Sequence, residues 1–133
     1  VDPGRSCAEA LADDDWVIQQ LADYQTRVMG MPTRFFSESV PIGGRALRSA
    51  IDRLEDFAFV GIAEEYELSV RLFDVVFTTN VSRRIRNDNI LRPNGSELDQ
   101  WRAAVEPLVA NDRILYDQAV RRLHAERLSL GLM

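Results

Sequence analysis

The 133-residue chain is poor in the side chains that most often carry chemistry on their own: it has one cysteine, Cys7, and one histidine, His124. A lone cysteine cannot close an internal disulfide, and neither a paired CxxC nor an HExxH occurs, so the spacings that gather ligands around a transition metal are missing. The expectation is a protein with no metal. No GxxxxGK[ST] phosphate cradle and no GxGxxG turn is found either, which removes the commonest nucleotide-binding signatures from these residues. No apolar run approaches the about 20 residues that cross a bilayer, and the start lacks a basic segment followed by an apolar one. These absences lead to the expectation of a cytoplasmic chain with no membrane partner. Val1 stands where an initiating Met would be, so the chain reads as processed, cut from something longer, or one part of a larger protein.

What is present is ordinary for a globular protein. Hydrophobic residues make up 46% of the chain and charged residues 28%, enough to bury a core, and the length suits one domain over 1–133 or a piece of a larger one. Twenty-one acidic against sixteen basic residues give a net charge of −5. That balance argues against a general nucleic-acid or anionic-membrane surface and leaves room for a local basic pocket. One stretch runs against the global sign. In TTNVSRRIRNDNILRPNG, Arg83, Arg84, Arg86 and Arg92 place four cations within ten positions, and a basic loop of this kind can close over an anionic ligand.

The hydrophobic pattern is mainly helical. Val17, Leu21, Tyr24 and Val28 draw an apolar stripe on a helix over about 11–29, with Asp13, Asp14 and Asp15 near its positive end. Pro32, Pro41, Gly43 and Gly44 punctuate a loop with Phe35 and Phe36 as an apolar plug. Leu47, Ile51 and Leu54 mark a second helix over 45–56. Phe57 to Ile62 is then an unbroken apolar run, which suits a short strand covered on both faces, and Thr78 to Ser82 is a weak second candidate. Glu64 and Glu65 favour the start of a helix carrying Leu68, Leu72, Phe73 and Val76. Ser96 can cap a helix with Leu98, Trp101, Val105 and Leu108, which Pro107 interrupts. A last helix carries Leu115, Tyr116, Ala119, Val120 and Leu123, with His124 as a partly exposed surface residue beyond. The predicted fold class is therefore mainly α with one short buried strand.

Three segments carry a family resemblance. FAFVGIAEEYELSVRLF, with Phe59, Val60, Gly61, Glu64, Ser69 and Leu72 on pattern and Ala63 where Thr is usual, resembles the "FVG-(I/V/L)-T-E-x-(F/Y/L)-x-x-S-L-x-L" signature of sulfotransferases of the heparan sulfate 2-O-sulfotransferase-like family. Tyr24 to Gly30 resembles that family's "N-x-Q-T-R-x-L-x-G" segment. NDRILYDQAVRRL is similar to its terminal "N-x-x-D-x-x-L-Y-x-x-A" segment, keeping Asn111, Leu115, Tyr116 and Ala119, although Asp112 directly follows Asn111. The matches cover most of the chain but only the C-terminal part of the family.

The resemblance implies the C-terminal part of an α/β sulfotransferase fold of the P-loop-like kind. It implies transfer of a sulfuryl group from 3′-phosphoadenosine 5′-phosphosulfate to a hydroxyl of a carbohydrate or small-molecule acceptor. By the same resemblance Gln25, Thr26 and Arg27 face the cofactor or acceptor, and Arg83 and Arg84 in the basic loop join them. The phosphosulfate loop, the catalytic base and the main 3′-phosphate contacts lie upstream in that family, so no catalytic residue is expected here. The cofactor would bind, and catalysis occur, only with a missing N-terminal half. The lone strand would pair with that half or drive self-association through Phe57 to Ile62. The competing expectation is a non-enzymatic helical module whose apolar stripes dock on a partner protein.

Overall fold

The computed structural model describes Glu9 and residues 22–31, 43–84 and 95–132. Within them run α1 (Tyr24–Gly30), α2 (Gly44–Asp56), α3 (Tyr66–Phe77), α4 (Gly95–Val105) and α5 (Ala110–Ser129). Short 3-10 turns lead into α3 at Ala63–Glu65, follow it at Val81–Arg83, and join α4 to α5 at Glu106–Leu108. The architecture is mainly helical, and no strand occurs among the described residues.

The helices α2 and α3 and the break before α5 follow from local sequence. Leu47, Ile51 and Leu54 recur at helical spacing on α2, where Ala50 and Leu54 are buried. On α3, Ser69 and Leu72 are the buried pair. Pro107 can sit in the first turn of a helix but not inside one, and the chain accordingly passes through the Glu106–Leu108 turn before α5 begins. The core joins Ala50 and Leu54 of α2, Ile62, Leu72 of α3, and Leu115, Ala119 and Leu123 of α5 in one apolar cluster.

α1 and α2 meet at a glycine. A Cβ built on Gly30 would lie 2.0 Å from the Ala46 carbonyl oxygen, so the two backbones touch where only glycine fits. Arg53 Nη1 of α2 donates to the Met29 carbonyl at 2.8 Å, placing a cation on the negative end of α1.

Several expectations are corrected. The Phe57 to Ile62 run is not a buried strand: Phe57 is 51% exposed and Ala58 and Gly61 are open, while Ile62 joins the core. The segment is extended, but side chains rather than a neighbouring strand take its polar groups. Ser69 Oγ accepts from the Ile62 N–H at 2.8 Å and donates back to the Ile62 carbonyl at 3.1 Å. Arg122 of α5 donates to the carbonyls of Leu54 and Phe57. Without a strand among the described residues to complete a ladder, these bonds hold the run as a strap across α5. Thr78 to Ser82 is not a strand either: Thr78 caps α3 in the left-handed region at φ 53°, and the Val81–Arg83 turn follows.

The stripe expected along 11–29 also differs. Asp23 is left-handed at φ 45° and α1 starts only at Tyr24. Tyr24 and Val28 are exposed while Thr26 and Arg27 are buried, and Thr26 is bonded to Asp112 of α5. Asp13 to Asp15, Val17, Leu21, Phe35, Phe36, Arg86 and Arg92 lie outside the described residues.

Candidate functional site

The starts of α1 and α5 cap each other. Asp23, the residue before α1, accepts from the N–H groups of Asn111 at 2.8 Å and Asp112 at 3.0 Å through Oδ1, and from Asn111 Nδ2 at 2.8 Å through Oδ2. In return Asp112, in the first turn of α5, accepts from the Thr26 N–H and the Thr26 hydroxyl, both at 2.7 Å, and from the Gln25 N–H at 3.2 Å. Two helix N-termini, each with free N–H groups and a positive dipole end, are thereby satisfied by the other's carboxylate. Asp23 also donates its own N–H to the Leu108 carbonyl at 3.0 Å. Aspartate tolerates the left-handed backbone that this geometry requires.

The third segment joins through Glu64 and Glu65. Both stand in the turn that leads into α3, at the helix start their position suggested, but neither side chain caps a free N–H of that helix. Glu64 Oε2 accepts from the Tyr116 hydroxyl at 3.2 Å, and both Glu65 oxygens lie 2.8 Å from His124 Nε2. Partial burial raises the Tyr116 phenol above its ordinary value, and the hydrogen bond and charge of Glu64 add to the effect. Consecutive carboxylates in the turn thus reach two side chains of α5 eight residues apart, two helical turns along one face.

Between these joints lies a groove of about 400 Å³ lined by Gln25, Glu64, Arg102, Glu106, Arg113 and Tyr116, with the apolar Val105 and Val109 among them. Arg113 pairs with Glu106 at its rim. A neighbouring hollow of about 500 Å³ shares Gln25, Glu64 and Tyr116 but is bounded by Phe57, Val60 and Leu115. The groove carries donors and acceptors of both signs, a lining that suits a ligand rich in hydroxyls.

The predicted site residues divide. Gln25 is exposed and lines the groove; Thr26 is 0% exposed with its hydroxyl spent on Asp112; Arg27 is 6% exposed inside the α1 joint. Arg83 and Arg84 are exposed on the turn after α3, and the groove beside Gln25 is not lined by them. That turn is held by Asp74, whose carboxylate accepts from the Thr79 hydroxyl at 2.7 Å and from the N–H groups of Val81 at 2.7 Å and Ser82 at 3.0 Å. Bonds from Ser82 above all, with Thr79 and Val81, hold the Asp74 carboxyl far below the usual range.

An apolar cavity of about 500 Å³, lined by Phe59, Ile62, Tyr66, Val70, Phe73 and Val81 among others, was not foreseen. Phe59 meets Phe73 edge-on with ring centroids 5.5 Å apart, and Phe77 lies 4.7 Å from Phe73. The alternation of aromatic residues between the extended run and α3 was the available signal. Asp112 was legible as an acid at the start of the last helix, but Asp23 fell inside the helix expected over about 11–29, and nothing local names the helix that either one caps.

No group of three or more potential ligands able to hold a metal occurs among the described residues, and no helix there is long and apolar enough to cross a membrane. No protein-family model, curated protein or solved structure matches the chain.

Proposed function

We propose that the chain is the C-terminal part of a cytoplasmic sulfotransferase that moves a sulfuryl group from 3′-phosphoadenosine 5′-phosphosulfate to a hydroxyl acceptor, and that it acts only when joined to an upstream phosphosulfate-binding half. The observation that supports this reading is the convergence of the three family-like segments, although one of the two joints runs through Asp112, which departs from the family spacing. Thr26 bonds Asp112 beside Asn111, and Glu64 bonds Tyr116, although these partners are 86 and 52 residues apart. Segments that must build one site in a folded enzyme are expected to be tied together in this way. Gln25 and Tyr116 then stand beside the acceptor in the polar groove, and Arg83 and Arg84 supply planar donor forks for sulfate or phosphate oxygens.

The test is calorimetry with adenosine 3′,5′-bisphosphate on the longer protein that joins this chain to its upstream half, beside Arg83→Ala and Arg84→Ala variants. Both arginines are exposed, so the variants are expected to fold and to bind the product more weakly. Equal binding by wild type and variants removes these residues from the site, and absence of a phosphosulfate loop encoded upstream removes the enzymatic reading.

A second reading, a helical module that docks on a partner protein, is favoured by one observation: Val75 and Phe77 on α3 are large, apolar and nearly half exposed. Such a module would bind no bisphosphate in any length of chain.

A further inference from the structure

We propose that the acceptor is a small uncharged amphiphile, with a hydroxylated head in the polar groove and an aryl or alkyl body in the hollow beside it. This rests on the sulfotransferase reading for the ligand's role and on the two hollows for its chemistry. The groove, about 400 Å³, and the hollow, about 500 Å³, meet at Gln25, Glu64 and Tyr116, which line both. Each volume lies within the range of about 300–1,000 Å³ that takes small ligands. Apart from those three residues, no polar or charged side chain lines the hollow, and Met29, Leu54, Phe57, Val60, Leu115 and Ala119 supply much of its wall. A hydroxyl placed there would find no side chain to pair with, so the part of the ligand that it holds is apolar. Phe57 stands half exposed on this wall, and covering it removes apolar area from water.

The charges of the groove select the head. Glu64, Glu106 and Asp112 line it together with Arg102 and Arg113, so carboxylates outnumber guanidiniums and no excess positive charge draws an anion in. Each carboxylate also has a donor: Tyr116 for Glu64, Arg113 for Glu106, and the start of α1 for Asp112. A cationic ligand therefore meets no unpaired carboxylate. The Gln25 carboxamide and the Arg102 guanidinium remain, since Gln25 bonds Asp112 through its main-chain N–H and Arg102 makes no hydrogen bond or ion pair among the described residues. A hydroxyl both donates and accepts, and a carboxylate oxygen keeps a lone pair after its first bond. A head with several hydroxyls can thus bond Gln25, Arg102 and the engaged carboxylates at once. A long polysaccharide suits the groove but leaves the hollow unfilled, because its hydroxyls would be buried there without partners. An amphiphile is complementary to both.

The test titrates 1-naphthyl β-D-glucoside by calorimetry into the 133-residue chain, beside methyl β-D-glucoside as the head alone, 1-naphthol as the body alone and 1-naphthyl sulfate as the charged counterpart. The expected result is saturable one-to-one binding of the naphthyl glucoside, at least about tenfold tighter than that of each other probe. Phe57→Ala should weaken the naphthyl glucoside and naphthol by about threefold to tenfold. Gln25→Ala should weaken the naphthyl glucoside by about as much and leave naphthol unchanged. Both side chains are exposed, so the variants are expected to fold, as circular dichroism and the thermal midpoint establish, and each keeps the test decisive should the other fail. The proposal is overturned by absence of saturable binding, by any of the other probes binding as tightly as the naphthyl glucoside, or by a folded variant that binds it unchanged. No sulfuryl donor is present in this assay, so its failure leaves the sulfotransferase reading to the bisphosphate titration. Failure of that titration, in turn, leaves a bound glucoside standing as a ligand but not as an acceptor.

Discussion

Removing the hydroxyl of Thr26 without changing its volume tests whether the reciprocal caps hold α1 on α5. Thr26 is wholly buried, and both its N–H and its hydroxyl reach Asp112 Oδ1 at 2.7 Å. Thr26→Val deletes one hydrogen bond to a charged acceptor, which contributes about 1.5–2 kcal/mol. Asp112→Ala deletes all three bonds to α1 and leaves the Thr26 hydroxyl buried with no acceptor. Three such bonds would sum to more, but the bond to Gln25 is long and exposed, so the expected loss is about 3–4 kcal/mol. The double variant should fall short of the sum of the single losses by about 1–2 kcal/mol, because the hydroxyl and the carboxylate share one interaction. Urea denaturation followed by far-ultraviolet circular dichroism reads all four proteins. Losses that add to within about 0.5 kcal/mol would show that the bond does not contribute, and the account of how α1 is held would fail.

Gly30→Ala sets two effects against each other: alanine favours a helix by about 1 kcal/mol, but its Cβ would overlap the Ala46 carbonyl oxygen, and forcing apart packed backbone costs about 2–4 kcal/mol. Net destabilisation of about 1–3 kcal/mol is expected in the same denaturation assay, and a stabilised variant would mean that α1 and α2 do not touch there. Asp74 predicts the pH behaviour of the turn that carries Arg83 and Arg84. Its pKa is lowered in the folded chain from an ordinary 3.8, so its contribution is complete above that value and is lost only as pH falls through the lower, folded value. The amide signals of Val81 and Ser82 in an NMR titration should therefore stay unchanged down to pH 3.8 and shift only in stronger acid; a midpoint at or above it would break the assigned bonds.

The helices were legible to the extent that their signals are local. Leu47, Ile51 and Leu54 on α2, Leu68 and Leu72 on α3, and Leu115, Ala119 and Leu123 on α5 repeat at the helical period, and Pro107 interrupts the chain where expected. The strand was misread because an apolar run of six residues states only that its side chains can be buried. Whether Phe57 to Ile62 becomes a strand depends on a neighbour to complete the ladder, and here Ser69 and Arg122 take up its polar groups. Of the candidate site, Gln25 and the two exposed arginines were readable as polar groups at loops and helix ends. The burial of Thr26 and Arg27 was not; Thr26 is held by Asp112, 86 residues further along the chain.

The mainly helical class, the apolar face of α2 and the break at Pro107 follow from local sequence, because each depends on neighbours within a few residues, where propensity and periodicity act. The packing of the helices alone makes Asp23 and Asp112 cap each other's helices, brings Glu64 and Glu65 to Tyr116 and His124, and opens an apolar cavity between the extended run and α3. The caps and the carboxylate contacts join groups 52 to 89 residues apart. A carboxylate's partner at such a range is chosen by how the helices pack, and no local pattern encodes it.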